Sequence, residues 1–491
     1  EPISVDCRAL PLDDLLSREW LLTNQLGSYA ASTVVGCNAR RYHGLLVAAT
    51  LPPVGRVSGL ATVMETVHME GGESYALAIN EFDGAFSPHG EAHLVEFRNE
   101  IAPTFIYQLG PARLTRQIML ADKANVVAIR YTLTGADGRM ELWPFTALRD
   151  FHGLRAYSSP SHVTFDIGQN EVMVQDRNWP QHELRMASSE ATFEPDPQWW
   201  YRFKYRGDLA RGQEGYEDLY TPGRFAFHLR DGQSVQFNAA LSTQPSMGFA
   251  TAIEARRTRL GAALEHVSST QQATQRLVAA ADAFVVRRAF PNEPSSTTIL
   301  AGYPWFADWG RDAFIALPGL LLSTGRFDEA MEVFSTFARH IEDGVVPNRF
   351  DDYSGGAHYN SIDASLWFII AGERFLEAGG SSDFWRSVIL PACRQILTRF
   401  HDGTKFDIRA DADGLLTGGD WNTQLTWMDA KLGDEVVTPR HGKPVEVNAM
   451  WYCANAALAR RLREMGDRSA ESFQGSARHI ADAFNAAFWN P

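Results

Sequence analysis

Apolar positions follow two different periods along this chain. Up to about residue 250 they recur every second residue or in short β-branched runs; beyond it they recur every three to four. In the first part ASTVVGC, HGLLVAAT, NVVAIRYTLT, HVTFDI and RFAFHL are separated by Gly, Pro, Asp and Asn turns, a pattern that predicts an antiparallel β-sandwich. In the second part seven segments carry the helical period: 276–290, 312–323, 327–341, 363–378, 384–400, 448–465 and 476–489. An eighth, 250–264, reads as a linking helix. The expected organisation is a sandwich over 1–250, a linker over 251–272 and an all-α region over 273–491.

Composition sharpens this picture in a few places. A chain of 491 residues exceeds the usual single core, and 45% hydrophobic content is enough for two. The net charge of −14 argues against nucleic acid or an anionic membrane surface as partner. No apolar run approaches the ~20 residues of a membrane span. The opening EPISVDCRALPLDDLL has neither the basic nor the apolar region of a secretory signal, so a cytoplasmic location is expected. It also lacks a starting methionine, so residues are expected to precede it. Cys7, Cys37, Cys393 and Cys453 show no ligand spacing and are expected to be free, buried thiols in a reducing compartment. His43, His340, His358 and His441 form no ligand pattern either, and neither metal nor cofactor is expected.

Candidate chemistry concentrates in AGYPWFADWGRDAF, residues 301–314. A neutral sugar offers vicinal hydroxyls and a flat C–H face, which a protein grips with carboxylate and guanidinium groups and a stacked aromatic ring. Trp305, Phe306 and Trp309 would form the platform, with Asp308, Arg311 and Asp312 as the clamp. The competing reading has Asp308 capping the helix and Arg311 pairing with Asp312. Similar clusters recur in YNSIDASLW from Tyr359 and in GGDWNTQLTWMDAK from Gly418, a spacing of roughly fifty to sixty residues that suits one helix pair and its loop in a toroid of helical hairpins. In the first part, Asn38, Arg40, Arg41, Tyr42 and His43 form a polar string. It reads as a turn whose arginines bind carbonyls, or as a loop reaching toward the pocket.

These strings resemble the bacterial and archaeal amylo-α-1,6-glucosidase, or glycogen debranching enzyme, family. EWLLTNQLGSYAASTVVGCNARRYHGLLVAA is similar to its N-terminal domain. AGYPWFADWGRDAFIALPGLLLSTGRFDEA, VPNRFDD, YNSIDASLWF and TWMDAKLGDEVVTPRHGKPVEVNAMWY are similar to its catalytic domain. The resemblance implies a β-sandwich followed by an (α/α)6 toroid like that of glucoamylases. It also implies hydrolysis of α-glucosidic bonds with inversion, which needs two carboxyls about 6.5–9.5 Å apart.

Asp429 sits where the family places its acid. Trp427 and Met428 would wall it, and Lys431 would oppose its protonation if it came close. Arg311 and Asp312 match the pair that holds the terminal glucose, which implies exo action. Asp308, Trp309, Asn360, Asp363, Asp420 and Trp421 are implied to line the pocket. Glu446 either binds sugar or serves as a helix-start charge. The implied substrate is glycogen or limit dextrin, cleaved at single-glucose α-1,6 stubs. The alternatives are an α-glucosidase of trehalose or a small α-glucoside on the same fold, and a non-catalytic α-glucan-binding protein. The family's toroid has twelve helices where seven are read here, so the toroid is expected to be incomplete, the chain part of a longer protein, and the general base beyond residue 491.

Overall fold

The computed structural model describes residues 3–489 apart from 169–170, 268, 291–293, 352 and 354–355. Of the strings above, Asp352 and the final Asn490–Pro491 lie outside the described residues. The chain divides into two compact units, Glu1–Ala262 and Ala263–Pro491.

The first unit is built from two antiparallel sheets. A nine-stranded sheet runs in the order Ile3–Asp6, Leu94–Asn99, Pro103–Leu109, Ala112–Leu120, Val126–Thr134, Ser234–Leu241, Glu183–Ala187, Val172–Asp176 and Val163–Ile167. The second runs Ala191–Lys204, Tyr216–Leu229, Gly138–Asp150, Val54–Met69, Gly44–Leu51, Tyr29–Thr33 and Glu19–Thr23, with Ser74–Ala76 added to Val54–Met69. One core takes Phe97, Phe105, Leu114 and Ile118 from the first sheet and Leu46, Val63, Val67 and Phe225 from the second. Alternation explains why: in Ala112–Leu120 the inward positions are Ala112, Leu114, Arg116 and Ile118. Arg116 is tolerated inside because its Nη1 donates to Glu65 Oε1 at 3.0 Å and its guanidinium lies 4.1 Å from the Phe105 ring centroid.

The ARRYH string is a turn. Arg41 donates to the carbonyls of His152 at 2.9 Å and Glu214 at 2.6 Å, and Ala39 N–H donates to His43 Nδ1. Arg40 instead meets the carboxylate of Glu19 at 2.7 Å. All four cysteines are free, but Cys453 is exposed, against the expectation of burial. It falls on the outer face of the helix Val445–Glu464, whose inner face is Val447, Trp451, Ala454 and Leu458.

The helix Phe249–Glu265 runs across the division between the units. The second unit is mainly helical, and among its described residues the longer helices are Gln272–Asp282, Gly310–Leu317, Phe327–Arg339, Asp363–Glu377, Leu390–Asp402, Val445–Glu464 and Ala470–Phe488. Asp363–Glu377 packs against both Gly310–Leu317 and Val445–Glu464, and the latter pairs with Ala470–Phe488. Phe314, Phe334, Phe337, Phe368 and Phe375 interlock at the centre with ring centroids 5.0–5.8 Å apart. Among the described residues no helix is long and apolar enough to cross a membrane.

One expected helix is corrected. The segment 276–290 is helical only to Asp282; Val285–Arg288 is a strand paired antiparallel with Ser296–Ile299. The adjacent β-branched Val285 and Val286 suit the pleat. The strand also delivers Arg288, 1% exposed, to Asp308, which the Thr298 hydroxyl of the paired strand reaches as well.

Candidate active site

The site grows from the start of the helix Gly310–Leu317. Trp309 precedes it with extended backbone (φ −110, ψ 136) and caps nothing with its side chain. The free helix N–H is satisfied from another segment: Gly310 N–H donates to Asn348 O at 2.7 Å. A Cβ on Gly310 would lie 2.2 Å from Pro347 O, so the glycine of WGRD is a condition for this approach. Trp309 also bridges Arg349, and Asn348 N–H donates to His358 O, so Asn348, Arg349 and His358 are fixed beside the helix start.

Arg311, in the first turn, is 8% exposed. Its Nε donates to Asp363 Oδ2 at 2.7 Å and its Nη1 to Asp429 Oδ2 at 3.2 Å. Asp363 opens the helix Asp363–Glu377, where Ser361 donates its hydroxyl to Asp363 Oδ1 at 2.6 Å and accepts from Ala364 N–H. Asp429 arrives on a loop anchored by buried Leu425 and Thr426, with Ile362 N–H donating to Leu425 O at 2.9 Å. Three segments distant in sequence therefore meet at one guanidinium. Its Nη2 is buried with no hydrogen-bond partner among the described residues, and the same holds for Asn348 Oδ1. A buried polar atom of this kind calls for a partner, which an ordered water, an ion or a ligand can supply.

A cavity of about 450 Å³ opens over this cluster, with Trp309, Tyr359, Asn360, Phe406, Gln424 and Asp429 in its wall and Asn348, Arg349 and His358 completing it. Burial pushes the Asp312 carboxyl above the usual carboxylate range; the charges of Asp429 and Asp363 act the same way and Arg311 opposes them. Three carboxyls around one guanidinium leave the cluster net negative when fully ionised.

The remaining sequence-predicted residues fall elsewhere. Asp308 is corrected from pocket lining to core: it is 0% exposed, clamped by the Arg288 guanidinium through both oxygens, and accepts from the Thr298 hydroxyl at 2.8 Å. It caps no helix, and Arg311 pairs with Asp363 and Asp429 rather than Asp312. Glu446 lies in the first turn of Val445–Glu464 and is gripped by Arg440, with Nη2 to Oε2 at 2.7 Å, and it is not in the cavity wall. Asp420 accepts Asn422 N–H in a local turn. Trp421 is 70% exposed with its ring 4.3 Å from that of His441, and Trp427 is 55% exposed. Lys431 is exposed on the two-residue strand Lys431–Leu432; the cation that reaches Asp429 is Arg311. Trp305 is partly buried in the turn before Trp309 and is not in the cavity wall. Among the described residues no three His, Cys, Asp or Glu side chains gather as metal ligands.

Of the wall residues, Asn348, Arg349, Tyr359, Phe406 and Gln424 had no assigned role in the sequence reading. Asn348, Arg349 and Tyr359 lie within motifs already singled out. Phe406 does not. It takes left-handed backbone (φ 57, ψ 27) beside Asp407 (φ 57), an arrangement costing on the order of 1 kcal/mol per residue.

The fold, a β-sheet unit followed by a helical unit, has a glucoamylase-like neighbour among solved structures. A bacterial glucoamylase crystallised with acarbose superposes with a TM-score of 0.51 at 10% identity, covering 96% of this chain and 65% of that one. Two family models match: Glycogen debranching enzyme N terminal over residues 18–236 and Amylo-alpha-1,6-glucosidase over residues 279–491. The Saccharomyces cerevisiae glycogen debranching enzyme is 30% identical over an alignment of 219 positions, with 32% of this chain and 14% of the yeast protein covered. The chain belongs to the glycogen debranching enzyme family of glycoside hydrolases.

Proposed function

We propose that this chain carries the glucose-binding half of an inverting, exo-acting α-1,6-glucosidase that removes single-glucose stubs from branched α-glucan such as limit dextrin. The observation that carries the proposal is the junction at Arg311, where buried Asp363 fixes the guanidinium, Asp429 receives one of its N–H groups, and a further N–H set stays unpartnered beside a cavity of about 450 Å³.

In this reading the terminal glucose enters with its hydroxyls toward Arg311 and Asp312, and Trp309 backs its C–H face. Asp429 Oδ2 accepts from Arg311, which leaves Oδ1 to carry the proton that passes to the glycosidic oxygen as the C1–O bond breaks. An ionised carboxyl on the other face removes a proton from water, whose oxygen bonds C1, so glucose is released with inverted configuration. Asp363 does not fill that second role, since Arg311 and Ser361 occupy both its oxygens. The free thiols fit a cytosolic enzyme.

The test is glucose release from limit dextrin by the full-length protein and by Asp429→Asn. A general acid contributes about 10²–10⁴-fold, so the variant should lose that much on dextrin. It should retain much more activity on α-glucosyl fluoride, whose leaving group needs no proton. Equal losses on both substrates would remove Asp429 from the acid role, and release of maltooligosaccharides would remove exo action.

A further inference from the structure

The turn Thr404–Ile408 holds an aromatic ring at the cavity in a backbone conformation that non-glycine residues avoid. Phe406 and Asp407 are both left-handed, and Phe406 is 38% exposed. The surroundings fix this turn from several sides. Thr404 N–H donates to Ile408 O at 2.9 Å, and Ile408 itself is buried. The Thr404 hydroxyl donates to Asp343 Oδ2 at 2.8 Å, and Gly419 N–H donates to Phe406 O at 2.8 Å. Lys405 pairs with Glu342 at 2.6 Å and lies 4.5 Å from the Tyr359 ring centroid. Strain that neighbouring contacts over-determine is the kind retained for a site.

Depth within the cavity says which part of a substrate the ring would meet. Arg311 behind the wall is buried, the Asp429 side chain is 25% exposed, and Phe406 is the more open residue. Exo cleavage puts the terminal glucose innermost and the bond at Asp429, so the sugar on the leaving side lies outward, at the level of Phe406. A phenyl ring offers that sugar no hydrogen bond but a flat face for its C–H groups.

We infer that Phe406 is a specificity-determining residue, the stacking platform for the glucose that bears the branch, and that its left-handed backbone serves to present the ring. This rests on the function proposed above. It predicts selectivity for substrates whose leaving group is itself a sugar.

The experiment compares full-length wild type with Phe406→Ala, Phe406→Gly and Phe406→Trp on limit dextrin and on α-glucosyl fluoride, which has no leaving-side sugar. Losing one ring–sugar stack should raise KM for dextrin about ten-fold in the Ala and Gly variants, with kcat/KM on the fluoride within about two-fold of wild type and Trp restoring dextrin binding. The Gly variant accepts positive φ and should melt no lower than wild type, so its loss cannot be assigned to misfolding. Equal losses on both substrates, or no loss on dextrin, would overturn the inference. If the wild type turns over neither substrate, the proposed function fails and Phe406 is judged by calorimetric binding of limit dextrin: a ten-fold weaker Kd in Phe406→Ala supports the platform, and an unchanged Kd refutes it.

Discussion

Asp308 separates a carbohydrate contact from a buried structural charge, and Asp308→Ala distinguishes them. In the folded chain the carboxylate is 0% exposed and the Arg288 side chain 1% exposed, with Thr298 as a third partner. Removing the carboxylate leaves a buried guanidinium without its counter-charge, which costs about 3–5 kcal/mol. The Thr298 hydroxyl loses its acceptor, adding about 1 kcal/mol. The rings of Phe350 and Phe290, 5.0 and 5.4 Å from the guanidinium carbon, return on the order of 1 kcal/mol. The net is about 4 kcal/mol, which speeds local opening by about 10³-fold.

Hydrogen exchange read on peptides covering 285–299 measures that opening where it occurs, without assuming that two units unfold as one. Replacing both partners by apolar residues, Arg288→Met with Asp308→Leu, should recover most of the loss. Unchanged exchange and melting in Asp308→Ala together with lost glucan affinity would refute the structural assignment and return Asp308 to the pocket.

Asp363→Asn should lower kcat/KM on limit dextrin by about 10²-fold with a far smaller change in melting temperature, because the guanidinium is left in place but no longer held in register; a loss confined to stability would show that Asp363 does not position Arg311. Gly310→Ala should cost about 1–3 kcal/mol in thermal or urea unfolding, since the new methyl meets Pro347 O at 2.2 Å, and an unshifted transition would mean the backbones separate freely. In the first unit, burial of Glu19 would raise its pKa, but His43 and Arg40 overcome this and hold it at about 2. A depressed folded-state pKa stabilises above the unfolded value and is lost as pH falls from about 4.5 toward 2. Glu19 is over a third exposed, so Glu19→Gln should cost only about 1 kcal/mol at pH 7, and a urea-midpoint difference that persisted at pH 2 would refute the ion-pair origin.

The sandwich was legible in the strands whose large apolar residues face its main core at every second position. In Val126–Thr134 the apolar Val127, Ile129, Tyr131 and Leu133 fall inward at every second position, so the period survives in the sequence. The helix Phe327–Arg339 was legible for the same reason at the other period, its buried Ala330, Val333, Phe334 and Phe337 spaced by three and four. The segment 276–290 offered no such contrast. Its helical Ala279–Ala281 is followed, after the single Asp282, by Ala283, Phe284, Val285 and Val286, and so short an apolar run reads as helix or strand alike.

That ambiguity also explains why Asp308 is misplaced in the site. Asp308, Asp312 and Asp363 are the same residue type in the same kind of aromatic-rich string, and nothing local ranks them by burial. What sorts them is which arginine reaches each. Arg288 reaches Asp308 only because 285–288 is a strand that pairs with 296–299; on a helix continued to residue 290 it would project along another direction. Reading the strand as helix and reading Asp308 as a pocket residue were therefore one error. Phe406 was hidden for a related reason. A left-handed turn is normally announced by Gly or Asn, whereas here Thr404, Lys405 and Ile408 impose it through partners at Asp343, Glu342 and the core. Local chemistry names the candidates for a sugar site, and long-range pairing decides which of them face the sugar.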